Sequence, residues 1–243
     1  MSNGILSAHS ISTLVADGSL TSHQSPLDDG QIQPASLDLR LGHKAYRLRA
    51  SFLPGDNRTI EACLDNVSMH EINLKDGAVL ETGCVYLVPL LEGLSLPAHL
   101  SATANPKSST GRLDVFTRVI CDGCSQFDAI SHGYKGPLYL EIAPRTFSIL
   151  VRTGDRLAQI RFRDGEQKIL STETVSIDLK GDGNDAIIGY RARRHSGLVD
   201  VAHVGGHVAK DYWQPIYAPD ETCLLYTSPS PRDQRGSRMP SSA

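Results

Sequence analysis

The chain has 243 residues, 40% of them hydrophobic and 21% charged, an ordinary balance for a soluble globular protein. A formal net charge of −3 offers no basic field for a nucleic-acid polymer, although a few local cations suffice for a small phosphate-bearing ligand. No apolar run reaches the about 18 residues of a spanning helix, and the N-terminus lacks a basic start followed by an apolar core. Neither a membrane span nor a signal peptide is therefore expected, and the expected location is cytoplasmic.

Residues 7–16 predict a short helix: Ile11, Leu14 and Val15 recur at helical spacing, and Asp17-Gly18 stops it. After that the helical period nearly disappears. Residues 31–41 alternate, with Ile32, Leu37, Leu39 and Leu41 apolar around Asp38 and Arg40, which predicts a strand. Further strands are predicted at 44–48, 79–89, 100–104, 115–121, 138–142, 147–152 and 157–163. Turn signals at Pro54-Gly55-Asp56, Asp76-Gly77 and Thr153-Gly154 separate them. Many short strands punctuated by Gly and Pro imply an all-β sandwich or barrel, of which a jelly roll is one form.

Residues 164–186 turn polar and Gly-rich, as a linker does. Residues 187–222 begin something new, with Val199, Val201, Val204 and the pair Tyr212-Trp213, but are too few to fold alone. Residues 223–243, CLLYTSPSPRDQRGSRMPSSA, resemble a translated sequencing adapter and are expected to be non-native and disordered. The natural gene is accordingly expected to continue beyond about Thr222.

Several side chains carry chemistry, each with a plainer alternative. Cys121-Asp122-Gly123-Cys124 is a C-x-x-C, which suits zinc. It lacks the preceding Pro, an upstream H-x-E and a second C-x-x-C, so a β-turn holding two thiols is the better reading. Lys107, Ser108 and Ser109 form a polar turn after Pro106 that suits a phosphate chain or is simply a solvated loop. Arg112 closes that loop, where a surface salt bridge is its plain reading. Glu141 interrupts the apolar strand 138–142; it is either an outward-facing residue or a buried, functional carboxylate. Asp38, between Leu37 and Leu39, reads as a structural carboxylate paired with an Arg.

Four segments, in order over residues 31–163, resemble the motifs of the dUTPase/dCTP deaminase superfamily. PASLDLRLG at 34–42 is similar to A-x-x-D-L-R-L-G. PKSSTGR at 106–112 is similar to R-S-S-x-x-R, with Lys107 in place of Arg. GYKGPLYLE at 133–141 is similar to the deaminase form of the third motif, which ends in Glu. GDRLAQI at 154–160 is similar to G-D-R-[IL]-A-Q. The whole resembles a longer deaminase form built from two related halves.

The resemblance implies a dUTPase-like distorted jelly roll or β-barrel with a short N-terminal helix. It implies zinc-independent hydrolysis of dCTP to dUTP and ammonia, with Glu141, Arg112 and Ser108 as catalytic residues. Substrate binding is implied for Lys107, Ser108, Ser109, Arg112, backbone groups at Val119 and Cys121, Asp128 at the deoxyribose 3′-hydroxyl and Tyr134 against the sugar. Mg²⁺ would enter on the substrate triphosphate. Tyr190 and Arg191 are candidates for a closing triphosphate arm, or part of a basic linker. Sites in this family are shared across a homotrimer, or a pseudo-trimer for a two-half chain. A dUTP diphosphatase, a bifunctional deaminase–diphosphatase and a non-catalytic nucleotide-binding β-trimer remain as alternatives.

Overall fold

The computed structural model describes residues 4–22, 25–165, 174, 183 and 186–218. In chain order the first elements are β1 (Gly4–Ile5), α1 (Ala8–Ala16), β2 (Leu20–Ser22), β3 (Ile32–Gln33), β4 (Ser36–Arg40), β5 (Lys44–Leu48), α2 (Ile60–Val67), β6 (Ser68–Asn73), β7 (Ala78–Leu80) and β8 (Val85–Ser95). They continue with β9 (Leu100–Pro106), α3 (Ser108–Arg112), β10 (Val115–Cys121), β11 (Ala129–Ile130), β12 (Lys135–Pro144), β13 (Ile149–Val151) and β14 (Arg156–Asp164). The last are β15 (Ile187–Ala192), β16 (Val199–Asp200), α4 (Ala209–Tyr212) and β17 (Trp213–Tyr217). Among these residues no helix is long and apolar enough to cross a membrane.

Two six-stranded sheets form the body. The first runs β11-β9-β14-β4-β3, with β1 also on β14; the second runs β10-β12-β8-β5-β6, with β2 also on β8. Their alternating apolar faces share one core, in which Leu37, Leu39, Ile160 and Phe162 of the first sheet meet Val88, Leu140, Ile142 and Val115 of the second. The sheets touch where β4 leaves the first. Leu41 bridges to Leu90 of β8, and Gly42 donates its N–H to the Pro89 carbonyl at 2.9 Å.

Helix α1 begins as expected: the Ser7 hydroxyl caps the Ser10 N–H, and Ile11 and Leu14 are buried. The single strand expected over 31–41 is instead a hairpin, β3 turning into β4 with Gln33 opposite Ser36. Pro34 has no N–H to give a ladder, so the turn falls there. The strand expected over 79–89 is likewise interrupted, at Gly83 with φ 77°. Helix α2 escaped the sequence reading, although Ile60, Cys63 and Leu64 are buried at helical spacing and Thr59 caps Ala62.

Residues 187–218 do not stand apart. Strand β16 pairs in parallel with β13, Arg152 grips Asp200 with two bonds of 2.7 and 2.9 Å, and the Phe147 ring packs nearly at right angles to those of Tyr212 and Trp213. The expected linker at 164–186 lies mostly outside the described residues, and the expected tail at 223–243 lies wholly outside them.

Candidate active site

Glu141 stands in the middle of β12, opposite Arg118 of β10 on one side and Leu87 of β8 on the other. Strand β12 is buried without a break from Leu138 to Pro144, so alternation does not turn Glu141 to solvent: it is 1% exposed. The outward-facing alternative is thereby overturned. A carboxylate in such a place is costly unless paired. Its partner is Arg118, whose Nε donates to Glu141 Oε1 at 2.8 Å and whose terminal nitrogen donates to the same oxygen. The other oxygen, Oε2, is buried and has no hydrogen-bond partner among the described residues.

Arg118 was not singled out from sequence. The available signal was opposite charges on two adjacent predicted strands, but a cross-strand pair is legible only once the register is known. Its guanidinium also donates to Ser51 Oγ at 2.8 Å and lies 3.9 Å from the Phe127 ring centroid and 4.9 Å from that of Phe116.

Asp128 adjoins this pair. It sits in a left-handed conformation, φ 61°, which Asp tolerates better than most side chains. Its Oδ1 accepts the Val119 N–H at 2.7 Å, and its own N–H donates to the Val119 carbonyl at 2.9 Å. Burial pushes its carboxyl up to about 6; Val119 and the Arg118 charge pull it down, and Glu141 pushes it further up. The backbone groups of Val119 are thus spent on Asp128, and the Cys121 carbonyl accepts the Cys124 N–H at 3.2 Å.

The remaining expected residues divide. Lys107, Ser108, Ser109 and Arg112 do form one local unit, but it is a turn of helix, α3, rather than a loop; the Gly111 N–H closes on the Lys107 carbonyl at 2.9 Å. Ser108, Ser109 and Arg112 are exposed. Lys107 pairs with Asp38, so the partner of that carboxylate is a lysine and not the arginine expected. The nearby Arg40 instead enters a buried network around Glu92.

Arg112 lines a cavity of about 510 Å³ with Tyr190, Ala209, Lys210, Trp213 and Pro215, which brings one arm candidate, Tyr190, to the serine turn. Arg191 instead donates to Gln214 across the β15–β17 pair at 3.4 Å. No hydrogen bond or ion pair among the described residues joins Glu141 to Ser108 or Arg112. Val115 lies three residues, roughly 10 Å, along β10 from Arg118, and α3 precedes it. Tyr134 spends its hydroxyl on backbone groups, donating to the Pro137 carbonyl of β12 at 2.7 Å and accepting the Asp122 N–H of the turn after β10 at 3.2 Å.

Cys121 and Cys124 are buried free thiols on a turn whose Gly123 has φ 70°. Hydrogen bonding from Cys121 pulls Cys124 down to about 7, and the same contact with burial pushes Cys121 up. Among the described residues no three His, Cys, Asp or Glu side chains gather as metal ligands.

Fold and motifs together define a mostly β protein of the dUTPase-like class, with a buried, arginine-held carboxylate inside its second sheet. Residues 2–166 match the family model for the 2′-deoxycytidine 5′-triphosphate deaminase N-terminal domain, and residues 151–230 match that for its C-terminal domain. The chain belongs to the 2′-deoxycytidine 5′-triphosphate deaminase family. It is 30% identical over 168 residues to a "dCTP deaminase, dUMP-forming" of Sulfurihydrogenibium sp., covering 68% of this chain and 86% of that protein. It is 32% identical over 146 residues to a dCTP deaminase of Haloarcula marismortui, covering 57% and 70%. Among solved structures, the 2′-deoxycytidine 5′-triphosphate deaminase of Agrobacterium tumefaciens superposes with a TM-score of 0.83 at 50% identity, over 89% of this chain and 71% of that one.

Proposed function

We propose that this protein hydrolyses dCTP to dUTP and ammonia, with Glu141 carrying the protons. The observation that carries the reading is the Glu141 carboxylate: fully buried, held through one oxygen, with the second oxygen unpartnered among the described residues. Oε2 takes a proton from a water, and the resulting hydroxide attacks C4 of cytosine. That proton passes to N3 and stays there; the carboxylate then takes the proton of the C4 hydroxyl and hands it to the departing amine, leaving a C4 carbonyl and ammonia, so one carboxylate serves as base and then as acid.

Ser108 and Arg112 hold the attacking water in this scheme. Within one chain α3 lies beyond the end of β10, so these groups reach Glu141 from a neighbouring copy, in a homotrimer or a pseudo-trimer. Ser109 and Lys107 face the triphosphate, Lys107 exchanging Asp38 for phosphate; Tyr190 and Arg191 close over it. Asp128 offers its second oxygen to the 3′-hydroxyl, and Tyr134 lies under the sugar. The serine turn offers hydroxyls and an ammonium, which are donors to phosphate rather than a cage for a hard cation. Mg²⁺ would accordingly enter with the substrate triphosphate rather than on protein ligands.

Incubation with dCTP and Mg²⁺, with assay of ammonia and chromatography of the nucleotides, tests the reading. Glu141→Gln should lower ammonia release by roughly 10²- to 10⁴-fold. Full-rate release by that variant would sink the assigned role. The name of the Sulfurihydrogenibium relative favours a second reading, in which dUTP is carried on to dUMP; pyrophosphate and dUMP among the products would select it.

A further inference from the structure

The ion pair around Glu141 treats its two oxygens differently. Arg118 meets the carboxylate with two nitrogens on a single oxygen, Oε1, where a fork-on-fork pairing would engage both. Oε2 is buried and accepts no hydrogen bond among the described residues. The guanidinium is itself fixed, by Ser51 Oγ at 2.8 Å and by the rings of Phe127 and Phe116. Its side chain is about a quarter exposed, so the grip is made at the margin of the core rather than deep within it.

We propose that Arg118 is a positioning residue for the deamination: it locks the Glu141 carboxylate through Oε1 and so leaves Oε2 as the one oxygen that receives the proton of water. The proposal rests on the reading of Glu141 as the proton carrier. A carboxylate free of such a grip would sample other staggered rotamers and present its oxygen to the water only part of the time. Lysine would supply the charge but neither the two-nitrogen contact nor the stacking between rings.

Plain neutralisation of a buried charge is the competing explanation, and Arg118→Lys separates the two because it keeps the charge. Steady-state kinetics on dCTP with Mg²⁺ should show Arg118→Lys lowering kcat by about tenfold or more, and Arg118→Met by roughly 10²-fold, with KM within about threefold in both. Thermal melts establish that each variant is folded; should Arg118→Met fail to fold, Arg118→Lys decides alone. Wild-type kcat in Arg118→Lys, or a change confined to KM, overturns the positioning role. Glu141→Gln run alongside keeps the two ideas apart. If it retains ammonia release, the proton-carrier reading fails; if it loses release while the Arg118 variants keep theirs, only the positioning role fails.

Discussion

Asp128 shows how a single carboxylate registers its surroundings. Its ordinary value is 3.8, and burial lifts it to about 6. Between these values the folded protein holds the Asp128 proton more tightly than the unfolded chain does. Its contribution is therefore fully present below about 3.8, is lost as pH rises towards about 6, and is constant above that. Asp128→Asn should flatten this slope without removing the fold, because Asn also tolerates a left-handed φ and keeps an oxygen for the Val119 N–H. Melting temperatures of both forms from pH 4 to pH 7 (about the range of the shift) would expose a wrong assignment as two parallel curves. A second residue-scale case is Glu92, fully buried, with one oxygen taking Arg40 Nε and Gln31 Nε2, each at 2.8 Å, and the other taking the Arg40 N–H at 2.8 Å. Glu92→Ala removes the buried one of Arg40's two carboxylate partners, leaving only the half-exposed Asp28 at 3.0 Å, and should cost about 3 kcal/mol in urea unfolding.

Among the elements, the pinch between the sheets is the most exacting. A Cβ at Gly42 would sit 2.4 Å from the Pro89 carbonyl oxygen, which is backbone and cannot swing away. Gly42→Ala should therefore part β4 from β8 locally and cost about 1–3 kcal/mol, read as a lower urea midpoint; an unchanged midpoint would mean that the two strands separate there at no cost. Local pattern found most strands, since the stretches expected at 44–48, 115–121 and 138–142 coincide with β5, β10 and half of β12. It failed where an element is too short to show a period. Helix α3 is five residues, and its Ser-Ser-Thr-Gly composition reads as loop. Helix α2 was missed for a different reason: Asn66 and Asp65 dilute its apolar stripe, which only the buried set Ile60, Cys63 and Leu64 reveals.

For the whole molecule, the question is how residues 187–218 are held to the body. The β15–β17 ribbon has two strands and leaves Ile187, Tyr190 and Tyr217 exposed, too little to persist by itself. Its anchorage comes from β16 on β13, the Arg152–Asp200 fork and the aromatic contacts on Phe147. Phe147 is 1% exposed, so Phe147→Ala should cost about 3–5 kcal/mol. Trp213 is the one tryptophan in the chain and stacks edge-on against Phe147 at 5.1 Å, so its emission should shift to the red in that variant. Unshifted emission would mean that the segment docks without this contact.

Local sequence by itself determined the class of fold, the short first helix, the order of four motifs and the prominence of Glu141, because alternation, turn residues and spacing are properties of neighbouring positions. Tertiary structure alone decided that Glu141 is sealed in rather than turned outward, that Arg118 is its partner, and that Asp38 meets Lys107 across 69 residues of chain. Those outcomes depend on sheet register and on how two sheets close over each other. Register is selected by the summed burial of many side chains, and no single stretch of sequence contains it.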